Sequence, residues 1–155
     1  MNLLRDILPP ANIRTDVEVR ARKPLFEMAA TLFAESMRGI DAGAIVENLL
    51  ARERLGSTGL GHGVAVPHAR ISGLSEPLGA FLRLTTPLPF DAPDAVPVSL
   101  VFVLLVPEQA TERHLQILAQ IAEMLSDDHV REQLHAAADA LAVRRLFTSW
   151  EPHLR

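Results

Sequence analysis

Residues 52–70 read RERLGSTGLGHGVAVPHAR, and the interpretation of the whole chain follows from this stretch. Four glycines lie within it at alternate or near-alternate positions: Gly56, Gly59, Gly61 and Gly63. Glycine lets the backbone take positive φ and bring its N–H groups close to a ligand. A short apolar segment, residues 64–66, follows and is predicted to be a strand. Pro67 and His68 come directly after it, so an imidazole is expected at the end of a strand, beside a turn of small residues.

His68 is the first candidate for chemistry. Imidazole is the side chain best able to act as a neutral nucleophile near pH 7. The glycine-rich turn beside it suits an anion such as phosphate, because successive backbone N–H groups can surround negative charge. From spacing alone, a loop histidine that is hydrogen-bonded to the backbone is an equally good interpretation.

The pattern R-E-x-x-G-S-T-G-x-G-x-G-[IV]-A-[IV]-P-H resembles the IIA component of the mannitol/fructose class of the bacterial phosphotransferase system. It looks most like the nitrogen-regulatory branch of that class, and the resemblance extends over roughly residues 3–147. The resemblance implies a phosphocarrier that receives a phosphoryl group on the tele nitrogen of His68. The donor would be a small phosphohistidine carrier protein of the HPr or NPr type. The phosphorylation state would then act as a signal to regulatory or potassium-transport proteins.

Arg52 and His114 complete the predicted site. Arg52 continues the apolar stripe of a helix that should end near residue 54, so its stem can cover apolar surface or its guanidinium can reach the glycine-rich turn. His114 is expected in the first turn of a helix capped by Thr111, where unpaired N–H groups favour an anion and disfavour a protonated histidine. Alone, it would more often be a surface residue. The resemblance implies that Arg52 clamps phosphate oxygens and that His114 orients the phosphate.

The glycine-rich turn supplies weaker candidates for binding phosphate: Ser57, Thr58, Gly59, Gly61 and His62. Ser57 and Thr58 are also ordinary turn residues. Sugar-transporting members of the family typically carry an acidic residue at the position of His62, so this histidine puts a sugar-permease role in doubt, although it too can be a plain turn residue. Leu60 and Ile71 are expected to form an apolar rim around His68, where a donor protein would dock in a small, transient interface.

Composition excludes several other classes of function. At 155 residues the default is a single domain spanning 1–155. The absence of cysteine removes disulfides, thiolates and cysteine-based zinc sites, and fits a reducing cytoplasm. A formal net charge of −4 offers no basic field for nucleic acid. The most apolar run, residues 96–106, is too short to cross a bilayer, so we expect no membrane insertion. A zinc site built from His62, His68 and His114 lacks a carboxylate in H-x-E spacing, and we predict neither a metal nor a cofactor.

Hydrophobic periodicity predicts an α/β (α+β-like) fold with a single mixed sheet covered by helices on both faces. Helices are expected over residues 23–37, 41–54, 111–125, 128–138 and 139–149, with a helical turn near 3–8. Strands are expected over 11–19, 64–66, 77–84 and 98–106, the last one buried on both faces, and residues 85–97 are expected to form a loop. Two helices have predicted inward residues: Leu115, Leu118, Ala119, Ala122 and Leu125 in the third, and Leu141, Leu146 and Phe147 in the last.

Two other functions compete with the signalling phosphocarrier. One is a sugar-specific IIA component that passes its phosphate to a membrane permease. The other is a hydrolase that uses His68 as nucleophile or base, against which stands the lack of a Ser or Cys nucleophile motif and of an H-x-E pair.

Overall fold

The computed structural model describes residues 1–109 and 111–152. Within these residues, five α-helices surround one mixed six-stranded sheet, and the predicted α/β class is confirmed. In chain order, a 3₁₀ turn (Pro10–Asn12) is followed by β1 (Ile13–Val17), α1 (Arg22–Ser36), α2 (Ala42–Arg54), β2 (Gly59–Gly61), β3 (Val64–Ala65), β4 (His68–Ile71), β5 (Leu78–Leu88), β6 (Val98–Pro107), α3 (Glu112–Leu125), α4 (Asp128–Ala136) and α5 (Ala140–Ser149).

Strand β6 is the centre of the sheet, whose order is β1-β5-β6-β3-β2. It pairs with β5 in antiparallel fashion, and β3 and β4 both run parallel to it along its other edge. His68 pairs with Leu104 in this register, and the backbone N–H of Leu104 donates to the carbonyl of Pro67 at 2.9 Å. The backbone around His68 is thereby fixed to the middle of the sheet.

Alternate residues of β6 face opposite sides of the sheet, and both sides are buried. Val101, Val103 and Leu105 pack in the cluster formed with α1 and α2. Leu100, Phe102 and Leu104 pack in the cluster formed with α3, α4, α5 and the N-terminal segment. The continuous apolar run of this strand therefore reflects burial on two faces, as predicted.

Local signals explain where helix α2 begins and ends. The side chain of Asp41 accepts the backbone N–H of Gly43 at the N-terminus, as its N-cap position predicts. Arg52 and Arg54 occupy the last turn, where positive charge is favourable to the helix dipole. Helix α2 therefore presents Arg52 directly before the glycine-rich turn.

Several sequence-based expectations are wrong. Residues 3–8 form bends and turns rather than helix, and β5 continues to Leu88, where it pairs with Val98, so the loop is limited to residues 89–97. In α3 the buried residues include Ile117, Ile121 and Met124, whereas Leu115 is 67% exposed and Ala119 is exposed as well. Leu141 of α5 is also exposed. Both helices carry apolar residues on more than one face. In α3, the face that packs in the core is the one that also buries His114.

Candidate functional site

His68 begins β4, where it is half-buried. Its Nδ1 lies 2.9 Å from the carbonyl oxygen of Val66. A carbonyl can only accept a hydrogen bond, so in the neutral ring the proton resides on Nδ1 and the lone pair on Nε2. The backbone thus selects the tautomer whose Nε2 is a nucleophile.

His114 has the opposite arrangement. It is the third residue of α3, its side chain is buried, and its Nδ1 accepts the backbone N–H of Thr111 at 3.2 Å. Because Nδ1 must offer its lone pair to this N–H, the neutral ring carries its proton on Nε2 and can donate from there.

One cavity of about 600 Å³, here called the histidine cavity, is lined by both histidines and by Arg52. The structure therefore brings together the three residues that the sequence placed at the centre of the site, although they come from three separate elements. A neighbouring cavity of about 340 Å³, here called the turn cavity, shares Arg52 and His68 and adds Ser57, Thr58 and Gly59.

The guanidinium of Arg52 reaches the glycine-rich turn. Its Nη1 donates to the carbonyl of Gly56 at 2.9 Å, so the side chain folds over the end of its own helix toward the turn. This is the second of the two placements that spacing left open. A guanidinium has five N–H donors in a fixed plane and can hold more than one oxygen at once.

The hydroxyls of the turn are engaged in holding its shape. Ser57 donates to the carbonyl of Phe90 and accepts the N–H of Gly59 at 3.0 Å. Thr58 is buried and donates to the carboxylate of Glu53. Both residues line the turn cavity, and both hydroxyls form hydrogen bonds within the protein.

Gly61 and His62 lie elsewhere. Gly61 is the last residue of β2, and His62 follows it in the turn to β3. His62 takes a φ of +57°, and its N–H donates to Oδ2 of Asp94 at 2.7 Å. This bond, with a second one from the N–H of Val96, lowers the pKa of Asp94 from its usual value. Neither Gly61 nor His62 is among the residues that line the histidine and turn cavities.

The rim of the histidine cavity is apolar, but its members differ from those expected. Leu60 is 45% exposed and lines the turn cavity. Ile71 was wrongly placed in the rim: the alternation of β4 turns it into the core with α1 and α2. Leu55 and Leu115 are exposed and line the histidine cavity instead. Sequence reasoning missed Leu115 because it was assigned to the core.

Arg70 also lines the histidine cavity, and the sequence analysis did not find it. It stands two residues after His68 on β4, so both side chains lie on the same side of the strand. A period-of-two pattern over residues 68–71 was the available signal. The cavity therefore has two cationic side chains on its walls, suited to an anion that carries more than one negative charge.

The model of one protein family, described as "Phosphoenolpyruvate-dependent sugar phosphotransferase system, EIIA 2", matches residues 6–150. The chain belongs to this family. The family resemblance drawn from the glycine-rich stretch is thus confirmed, and family membership implies phosphoryl transfer with a phosphocarrier and with other components of the system.

Among curated relatives of the EIIA 2 family, a nitrogen regulatory protein of Pseudomonas aeruginosa is 48% identical over 143 residues, covering 92% of this chain and 93% of the relative. A fructose-specific EIIA component of Haloferax volcanii is 34% identical and covers 89% of this chain and 90% of its own. Among solved structures, the nitrogen regulatory protein IIA-Ntr of Neisseria meningitidis superposes with a TM-score of 0.87 at 46% identity, over 94% of this chain and 99% of that one.

Two further observations concern residues 1–109 and 111–152. No group of three or more His, Cys, Asp or Glu side chains among them is arranged to hold a metal ion. None of the helices in this part of the EIIA 2 chain has the length and apolar character needed to cross a membrane.

Proposed function

We propose that this chain is a phosphocarrier of the nitrogen-related phosphotransferase system and that Nε2 of His68 accepts the phosphoryl group. The observation that carries the proposal is the pair of opposite tautomers at one cavity. Val66 leaves His68 with a free lone pair on Nε2, and Thr111 leaves His114 with an N–H on Nε2. One ring can thus attack phosphorus while the other donates to a phosphoryl oxygen.

The transfer balances without a separate base. Nε2 of neutral His68 forms a bond to the phosphorus of the donor's phosphohistidine, and the phosphorus–nitrogen bond of the donor breaks. A donor ring that is protonated on its other nitrogen leaves as neutral imidazole. The proton of His68 stays on Nδ1. The carbonyl oxygen of Val66 continues to accept a hydrogen bond from this N–H after the ring becomes cationic. No proton has to cross the interface between the two proteins.

Arg52 and His114 would stabilise the transferring group. Charge in phosphoryl transfer spreads over three equatorial oxygens, so catalysis comes mainly from positioning and from fixed positive groups. Arg52 and His114 both line the cavity that His68 lines. Gly61 and His62 lie outside both cavities, and we assign them no part in the transfer.

The apolar rim suits a protein as the donor. Leu55, Leu60 and Leu115 are exposed around the cavities, and a small interface is typical of a transient encounter between proteins. We propose a small phosphohistidine protein as donor and, from the resemblance, a cytoplasmic location. Regulatory or potassium-transport proteins would read the phosphorylation state through the added charge at this face.

Incubation with the phosphorylated donor protein tests the proposal. We expect one acid-labile, alkali-stable phosphate per chain, located on His68 by peptide mapping. His68→Ala should accept none, and His129→Ala, which changes an exposed histidine of α4, should accept a full equivalent. Full phosphorylation of His68→Ala would overturn the assignment.

A role of Arg52 in phosphoryl transfer can be distinguished from a packing role by comparison with a neighbouring arginine. Arg52→Ala should slow phosphoryl acceptance by roughly 10- to 100-fold, as expected when one charge-stabilising group is removed. Arg54→Ala changes an exposed arginine in the same helical turn and should leave the rate unchanged. A loss of thermal stability in Arg52→Ala without a loss of rate would favour a packing role.

A sugar-specific IIA component is the second candidate, favoured by the similarity to the fructose-specific component of Haloferax volcanii. The two functions differ in the acceptor of the phosphate. Rapid transfer from phosphorylated His68 to a sugar-specific IIB protein would support the second candidate. Retention of the phosphate in the presence of IIB proteins would support the signalling carrier.

A further inference from the structure

Arg22 occupies a position that its own helix does not favour. It is the first residue of α1, whose N-cap, Ala21, makes no side-chain hydrogen bond, and no acidic residue stands in the first turn. Positive charge at a helix N-terminus is unfavourable to the helix dipole. The placement of this guanidinium therefore needs an explanation outside α1.

The contacts of Arg22 lead to two segments that are distant in sequence. Nη2 donates to Oδ2 of Asp91 at 2.8 Å, and Nε donates to the carbonyl of Pro89 at 3.5 Å. The guanidinium carbon lies 5.0 Å from the centre of the Phe90 ring. Nη1 lies 3.6 Å from Oε2 of Glu53. One side chain thus joins the start of α1, the end of α2 and the loop of residues 89–97.

Glu53 explains why this cation matters. Its side chain is only 5% exposed, and within the described part of the chain Oε2 accepts no hydrogen bond. A buried carboxylate is costly unless a cation or donor compensates it, and Arg22 supplies the opposite charge. Oε1 of Glu53 accepts the hydroxyl of Thr58, so the pair holds one residue of the glycine-rich turn.

The loop of residues 89–97 also contacts the glycine-rich turn. Ser57 donates to the carbonyl of Phe90, whose ring and flanking residues are the ones Arg22 contacts. Gly59 packs so closely on Ala92 that an added Cβ would lie 2.8 Å from the Ala92 Cβ. Two successive turn residues are therefore anchored through groups that converge on Arg22.

We infer that Arg22 is a positioning residue for phosphoryl transfer: by binding Glu53 and the loop of residues 89–97, it fixes the glycine-rich turn against His68 and Arg52. The inference rests on the proposed function, because the turn lines the turn cavity, which shares His68 and Arg52 with the cavity in which that transfer would occur. Arg22 itself lines neither the histidine cavity nor the turn cavity. It acts through Thr58 and Ser57, and we do not assign it contact with the phosphoryl group.

The test compares Arg22→Gln with Arg144→Gln. Arg144 also donates to two backbone carbonyls, those of Leu8 at 2.8 Å and Arg5 at 3.5 Å, but it lies in α5, away from both cavities. Urea unfolding should show comparable losses of stability. Arg22→Gln should lower the maximal rate of phosphoryl acceptance by about tenfold, since small misplacements of reacting groups slow transfer strongly. The donor concentration at half-maximal rate should change less than about twofold, because the rim stays intact.

The coupling of Arg22 to Glu53 supplies a readout that loss of stability alone would not give. Glu53→Gln should also slow acceptance, and the Arg22→Gln/Glu53→Gln double variant should be no slower than the slower single variant. Arg22→Lys should recover part of the rate, because it keeps a cation opposite Glu53 but lacks the planar fork. A wild-type maximal rate in Arg22→Gln, or independent and multiplicative losses in the double variant, would overturn the inference.

A measurement without any donor separates this inference from the proposed function. In the unphosphorylated protein, Arg22→Gln should shift the backbone amide NMR signals of Ser57, Thr58 and Gly59, whereas Arg144→Gln should not. Unchanged signals would overturn the positioning role even if His68 is phosphorylated. The wild-type protein could instead take no phosphate on His68 while Arg22→Gln still shifts the three amide signals. That combination would overturn the proposed function and leave the anchoring of the turn supported.

Discussion

Adding one methyl group at Gly59 tests whether close packing of the glycine-rich turn matters for transfer. A Cβ at this position would lie 2.8 Å from Cβ of Ala92, 3.2 Å from its Cα and 3.2 Å from Oγ of Ser57. Carbon atoms in contact normally lie about 3.5–4.0 Å apart, so the turn and the loop of residues 89–97 must separate. Gly79→Ala is a matched control: its Cβ would lie 2.8 Å from two ring carbons of Phe102, and neither Gly79 nor Phe102 lines either cavity.

The expected loss of folding stability depends on the atoms that the added Cβ would meet. Overpacking of this kind typically costs about 1–3 kcal/mol. Gly79→Ala should lie near the upper end, because the ring of Phe102 is fully buried and packs 5.5 Å from that of Phe147. Gly59→Ala should fall within the same range, because its Cβ would meet both Cβ and Cα of Ala92. For a chain of this size, about 1 kcal/mol lowers the melting temperature by roughly 2–4 °C.

Urea unfolding and single-turnover phosphoryl acceptance together decide the matter. Both variants should lose stability, and only Gly59→Ala should also slow acceptance, by about tenfold, because it displaces Ser57 and the wall of the turn cavity. The reasoning is refuted if Gly59→Ala loses stability yet transfers at the wild-type rate. It is equally refuted if Gly79→Ala slows transfer to the same extent.

Other parts of the fold give further expected outcomes. Phe147→Ala removes a ring packed against two aromatic neighbours and should cost about 3–5 kcal/mol in urea unfolding. Asp41→Ala removes the N-cap of α2 and should cost about 1 kcal/mol by the same measurement. Partial burial of its ring, then repulsion from Arg83 and Arg131, lowers the pKa of His135 from the usual 6.5. The unfolded chain therefore binds this proton more readily, stability falls as the pH drops below about 6.5, and His135→Gln should flatten that fall in urea titrations.

The sequence offers a local signal for each of the three residues predicted at the centre of the site. Pro67-His68 follows an apolar strand, Arg52 lies in the last turn of an amphipathic helix, and Thr111 caps the helix that carries His114. Each of these signals involves residues within one element. The structure then places the three elements around one cavity, an outcome that the family resemblance implied.

What the sequence missed depends on contacts between distant segments. Arg22 forms ion pairs with Glu53 and with Asp91, each more than thirty residues away in the sequence. No local sequence pattern predicts contacts over such separations. The orientation of α3 was missed for a different reason. Its apolar residues cover two faces, and only the sheet decides that Ile117 is buried while Leu115 is exposed at the rim.

The most direct test of the central claim is to identify the nitrogen atom that carries the phosphate. Phosphorylation of nitrogen-labelled protein by the phosphorylated donor, followed by NMR detection of phosphorus–nitrogen coupling, identifies the atom. The hydrogen bond from Nδ1 of His68 to the carbonyl of Val66 predicts coupling to Nε2 of that ring. A phosphate on Nδ1 of His68, or on any other histidine, would contradict the account.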